Sequence, residues 1–131
     1  MSFAAKMGDK VVGTDTHVVL VPSPGGPVPT PTPLPFAGTI TGGCSTDVLI
    51  GGRPAAVVGS TATNAPPHIV PPPSTFQTPP TNQGTVVKGS ATVLINSRPA
   101  ARNGDKVTTC NDPAPAPVGT IIAAGTVLIG G

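Results

Sequence analysis

The chain has 131 residues, with 19 Pro, 17 Gly, 3 Phe, no Trp and no Tyr, and a formal net charge of +2. That length fits one domain, read as residues 1–131, and the near-neutral balance excludes the basic footprint of a nucleic-acid binder. Pro and Gly at this density point towards disorder, but only 9% of residues are charged and the Val/Leu/Ile runs recur in register, so a turn-rich all-β domain with a thin core is expected. A core without large aromatics contributes little stability, which calls for a metal or a partner to help hold the fold.

In chain order, Ala4-Ala5-Lys6-Met7-Gly8-Asp9-Lys10-Val11 is half of a repeat unit. Residues 13–46 read as a long connection. Within it Val18–Val21 is a predicted strand, and Gly38–Gly43 returns as another. Between them runs PSPGGPVPTPTPLP, Pro22 to Pro35, where proline at every second or third position favours polyproline II and predicts a stiff surface loop. Residues 47–60, DVLIGGRPAAVVGS, form a complete unit. Residues 61–91, with Pro66-Pro67, Pro71-Pro72-Pro73 and Pro79-Pro80, read as a second connection. The next unit, TVLINSRPAARNGDKV at 92–107, reads as a strand Thr92–Asn96, a turn Ser97–Pro99, a strand Ala100–Asn103 and a turn at Gly104-Asp105. Residues 108–125 are a shorter connection, and Thr126–Gly131 is the closing strand. No helical periodicity extends beyond a turn or two.

The units align without gaps. Val48-Leu49-Ile50 matches Val93-Leu94-Ile95, Arg53-Pro54-Ala55-Ala56 matches Arg98-Pro99-Ala100-Ala101, and Gly59 matches Gly104. The remaining copy is divided between the ends: Val127-Leu128-Ile129 supplies its first half and Ala4–Val11 its second. A repeat shared in this way predicts a closed, roughly three-fold arrangement with neighbouring termini, because an open solenoid would need distinct capping units.

The chain holds two His and two Cys, and the repeat gives their positions meaning. His17 lies nine residues after Gly8, His68 nine after Gly59, and Cys110 six after Gly104. Closure sends all three to one neighbourhood. Cys44, four residues before Val48, is the fourth candidate. Two imidazoles and two thiolates suit tetrahedral Zn2+, and they are too soft for magnesium or calcium. No leader-like run or membrane-length apolar stretch is present in the sequence, so a cytoplasmic origin is expected, where cysteines favour metal over disulfide. Two alternatives stay open at this stage: a Cys44–Cys110 disulfide, and Asp15 or a water in place of Cys44. Catalysis has little support. Asp9 and Asp105 follow turn glycines and read as turn-formers, no nucleophile elbow is present, and a zinc with four protein ligands leaves no open position for water.

At Pro54-Ala55-Ala56, Pro99-Ala100-Ala101-Arg102, the preceding VLIGGR and VLINSR, and the GDK at Gly8 and Gly104, the chain resembles the PAAR-repeat proteins. These are spike-tip proteins of type VI secretion systems and related phage-tail-like contractile injection machines. The resemblance covers most of the chain outside the Pro-rich loops. One departure is Val57-Val58-Gly59-Ser60, where Arg-Asn-Gly-Asp is expected. It implies a small cone of β-hairpins with pseudo-three-fold symmetry and zinc near its apex, His17, His68 and Cys110 matching the ligand regions. It also implies one copy docked on a trimeric (VgrG-like) β-helical spike and a structural, non-enzymatic role in piercing a target membrane, with the Pro-rich loops as candidate contacts for effector cargo. Made in the cytoplasm, such a tip is delivered on the particle outside the cell or into a target; with nothing following Gly131, a bare tip without a fused toxin is expected. Two other readings compete with it: a zinc-dependent hydrolase or toxin that shares the repeat, and an adaptor whose Pro-rich loops bind cargo.

Overall fold

The computed structural model describes residues 2–112 and 114–130, so Gly131, the last residue of the expected closing strand, lies outside the described residues. In chain order the strands are β1 (Ser2–Phe3), β2 (Lys10–Val21), β3 (Val28–Gly42), β4 (Leu49–Ile50), β5 (Arg53–Pro54), β6 (Thr61–Asn64), β7 (Thr75–Phe76), β8 (Gln83–Val86), β9 (Leu94–Ile95), β10 (Arg98–Pro99), β11 (Lys106–Thr109), β12 (Ala116–Ile122) and β13 (Leu128–Ile129). No helix occurs among the described residues, and the all-β expectation holds.

Three two-stranded hairpins form the wide end: β4–β5, β9–β10 and β13–β1. The last pairs the two ends of the chain, with Ser2 opposite Ile129 and Phe3 opposite Leu128. On the axis the Ala-Ala pairs meet. Ala5 N–H donates to the Ala101 carbonyl, Ala101 N–H to Ala56, and Ala56 N–H to Ala5, each at 3.0 Å, closing a ring of three main-chain bonds. All three alanines are fully buried. Nothing larger than a methyl group allows three main chains to approach one axis this closely, which is why the repeat carries Ala-Ala after its proline. Each following turn is capped by its own side chain: Asp9 accepts from Lys6 N–H at 2.9 Å and Asp105 from Arg102 N–H at 2.8 Å. In the divergent copy the Ser60 hydroxyl takes the same place, accepting from Val57 N–H at 2.9 Å. The carboxylates thus serve as turn-formers.

The hairpin turn starts one residue earlier and ends two residues earlier than expected. Asn96 and Ser97 are its central residues, at φ of 53° and 66°, and Arg98-Pro99 already belongs to the return strand. Gly51 and Gly52, at 58° and 81°, make the equivalent turn. Two successive positive φ values define the turn whose twist matches a two-stranded ribbon.

Above the hairpins, β12-β11-β8-β6-β3-β2 run side by side, and β12 pairs again with β2, so six strands close into a barrel-like cone; β7 is added outside β2. Four of these strands, β6, β8, β11 and β12, lie in stretches expected to be mostly connections. Their inward positions are taken largely by Ala62, Gly84, Val86, Val107 and Gly119, and a narrow barrel needs small side chains that give no apolar signal. The interior is filled by Val11, Phe36, Ile40, Val86, Val107 and Ile121. Phe36 is the one large ring. A Cβ on Gly38 would stand 2.6 Å from it, and one on Gly84 would be 2.9 Å from Val107, so both glycines make room.

Pro22–Pro35 is corrected most clearly. It is not a polyproline loop: β3 begins at Val28 and pairs with β2 from Val21↔Val28 down to Lys10↔Thr39. Pro29, Pro31, Pro33 and Pro35 occupy alternate positions and are all exposed. A strand's N–H groups point alternately to its two sides, so four prolines in one phase can all face the side away from β2. On that side β3 pairs with β6 only from Gly38 to Gly42, and the proline-bearing half is an open edge.

Candidate metal centre

Along β2, burial alternates strictly near the top: Asp15, His17 and Val19 point inward, separated by more exposed residues. Asp15 and His17 are therefore carried two residues apart on one face of one strand. Cys110 follows β11, whose last residue Thr109 is buried. His68 comes from the segment between β6 and β7, which has no strand. These four meet at the end of the barrel away from the hairpins. One donor atom from each lies within 4.8 Å of every other.

The distances are short throughout. His68 Nε2 lies 2.8 Å from Asp15 Oδ2, and His17 Nε2 lies 3.6 Å from the same oxygen. Cys110 Sγ is 3.4 Å from Asp15 Oδ2 and 3.8 Å from His17 Nε2. Thr109 Oγ1 donates to Asp15 Oδ1, occupying the second carboxylate oxygen. Asp15 and His17 are almost wholly enclosed, and His17 Nδ1 is buried without a hydrogen-bond partner. Burial, together with the neighbouring His68, lowers the His17 pKa from its ordinary value, which keeps a ring nitrogen free to act as a ligand. Burial, then the Asp15 carboxylate, raises the Cys110 thiol. A cation at the centre would reverse that, because coordination deprotonates a thiol outright.

The donor set fits a transition-metal ion. Bonds of about 2.0–2.3 Å in a tetrahedron give ligand–ligand edges of about 3.3–3.8 Å; the spacings among His17, Cys110 and Asp15 match this, and His68 stands closer to Asp15, at 2.8 Å. Two imidazoles, a thiolate and a carboxylate make a mixed nitrogen, sulfur and oxygen donor set.

His17, His68 and Cys110 are thus brought together with Asp15. Cys44 is not. It follows β3 at the opposite end, where its thiol donates to the Gly42 carbonyl at 3.7 Å and packs against the barrel core. From Leu34, opposite Asp15, down to Gly42 the strand runs roughly 26 Å at about 3.3 Å per residue. Both cysteines are free thiols, and the disulfide alternative falls with this separation. The place considered for Cys44 is held by Asp15, the stand-in that sequence reading allowed. Asn64, Asn82 and Thr109, which surround the cluster, had no motif to mark them.

Residues 76–131 match the family model for the PAAR motif. The chain carries the PAAR motif. No curated protein matches it. The matched stretch includes Cys110 and the complete unit of β9 and β10, and it ends on the PAAR half-unit that β13 contributes to the split hairpin. Asp15, His17 and His68 lie outside it, so the matched stretch holds the barrel strands β8, β11 and β12, part of the base and only one donor of the cluster.

Proposed function

We propose that this PAAR protein is the tip of a contractile injection spike, a non-enzymatic cap seated coaxially on a trimeric β-helical (VgrG-like) spike. The observation that carries this reading is the outward face of the three hairpins. Leu49 is 60% exposed, Leu94 62% and Leu128 49%. Each stands opposite another apolar residue, Pro54, Pro99 or Phe3. Three leucines around one axis offer near-equivalent contacts to three identical chains, and contiguous apolar surface of this kind marks an interaction site.

In the same reading Asp15, His17, His68 and Cys110 hold zinc, in place of the set with Cys44. The metal would tie β2, the segment bearing His68 and the end of β11 into one rigid point, at the end where few apolar residues can pack. Four protein donors leave no position for a reacting water, which favours a structural ion over a hydrolase centre. The tip is assembled on the particle and carried with it to the target membrane, and effector cargo is accommodated on the Pro-rich outer surface. Mixing the protein with its spike trimer and measuring mass and symmetry tests the assignment. One copy per trimer on the three-fold axis is expected; three copies, or attachment along the spike's side, would overturn it.

A further inference from the structure

Of the four donors, His68 alone is not placed by a strand or by its immediate end. Asp15 and His17 belong to β2 and Cys110 follows β11, so the sheet ladder fixes all three. His68 sits in a proline-rich segment, and its position depends on side chains. Its main-chain N–H donates to Asn82 Oδ1 at 2.8 Å. Asn64 Nδ2 donates to the same oxygen at 3.1 Å and lies 3.3 Å from His68 Nδ1. Asn64 is anchored in turn: Ala37 N–H donates to its Oδ1 at 2.8 Å, and its own N–H donates to the Asn82 carbonyl at 2.7 Å. Asn64 is only 2% exposed.

The backbone of Asn82 adds an independent observation. Its φ is 58°, in the left-handed region. The chain uses glycine at the repeated turns with positive φ, at Gly8, Gly59 and Gly104. Asn is among the few non-glycine residues that adopt this conformation, as Asn96 also does, and at position 82 its side chain has a task beside turning the chain. The task visible in the structure is to accept two hydrogen bonds, one of them from His68.

We propose that Asn82, held by Asn64, is a positioning residue that fixes His68 in the donor cluster. Only the cobalt readout below rests on the metal reading above. Asn82→Gly relaxes the backbone while deleting the acceptor, so a residue that merely shaped the turn would be replaced without loss. Asn82→Asp keeps an oxygen acceptor for both donors.

The test measures hydrogen–deuterium exchange at the imidazole C2 of His68 and of His17 by mass spectrometry, on the full chain without added metal. His68 is expected to exchange slowly in the wild type and in Asn82→Asp, and at least about ten-fold faster in Asn82→Gly, with His17 slow in all three. Equal His68 rates in all three proteins would overturn the proposal. So would equal acceleration of His17 and His68, which reports general opening. With Co2+ as the probe, Asn82→Gly should weaken the tetrahedral d–d absorption and raise the metal's Kd about 10–100-fold, with recovery in Asn82→Asp. A wild type that takes up no Co2+ but keeps the exchange pattern would remove the metal reading and leave the positioning role standing.

Discussion

The two ends of the cone are built on different terms. At the wide end each contact occurs three times, between main-chain groups and small side chains: the ring of Ala5, Ala56 and Ala101, the capped turns at Gly8, Gly59 and Gly104, and the buried Ile50, Ile95 and Ile129. At the narrow end each contact occurs once, between side chains drawn from distant segments. Asp15 accepts from Thr109 and meets His68, and the positions that match Asp15 in the other units, Pro66 and Asn111, carry no carboxylate. The difference teaches that repetition supplies shape without help from the environment, whereas a single polar cluster needs the whole barrel to bring its members together. Losing one repeat contact at the base breaks a cycle; losing one donor at the apex leaves the base intact.

The largest effect is expected from opening the cycle. Deleting Thr126–Gly131 removes the partner of β1 and the buried Ile129, which is 6% exposed. A loss of about 3–5 kcal/mol is expected, roughly 10–20 °C in Tm by circular dichroism. A truncated chain that melts like the full one would show that the closing hairpin carries no stability, despite its place in the core.

Stripping metal from the apex comes next. With zinc held at about a thousand-fold above its Kd, removal by a chelator should cost about 4 kcal/mol. Two-dimensional NMR should then show shifts concentrated at residues 15–17, 64–68 and 109–111, with the Ala5, Ala56 and Ala101 amides unmoved. Spectra that change equally at both ends would erase the distinction drawn above.

The base divides again into inner and outer faces. Leu94→Asp, on a residue 62% exposed, should leave Tm nearly unchanged, yet weaken spike binding by about 2–3 kcal/mol in a pull-down titration. Its neighbour Ile95, 8% exposed, should do the reverse: Ile95→Ala lowers stability by about 2–4 kcal/mol. If Leu94→Asp unfolds the protein while binding by the folded fraction persists, the outer face is not the docking face.

The smallest effect is expected on the proline edge. Pro31→Thr introduces an N–H on the unpaired side of β3, where water can satisfy it, and should change stability by less than about 0.5 kcal/mol with docking intact. A larger loss would mean that this phase of β3 does not face solvent.

Much of this protein was legible before folding. The gapless match of VLIGGRPAA with VLINSRPAA, and the half-copies at the ends, determine the three hairpins and their closure, because the turn chemistry, the small axial residues and the buried isoleucines are all local to each unit. The nine-residue offset of His17 and His68 from their glycines carried two donors to one place. Three things were decided only in three dimensions. Pro29–Pro35 could become a strand because a barrel leaves one edge of β3 open, and proline composition alone does not record which side of a strand lacks a neighbour. Thr61–Asn64 and Gln83–Val86 read as connection because a narrow interior selects Ala and Gly, which carry no periodic signal. Cys44 stands apart from the cluster and Asp15 within it because strand length, not residue chemistry, sets distance from the cluster: the thiol falls at the base of β3, while the carboxylate stands two residues from His17 on the same inward face. Ligand chemistry is written in residue types, but which donors share a point is settled by strand length, phase and register.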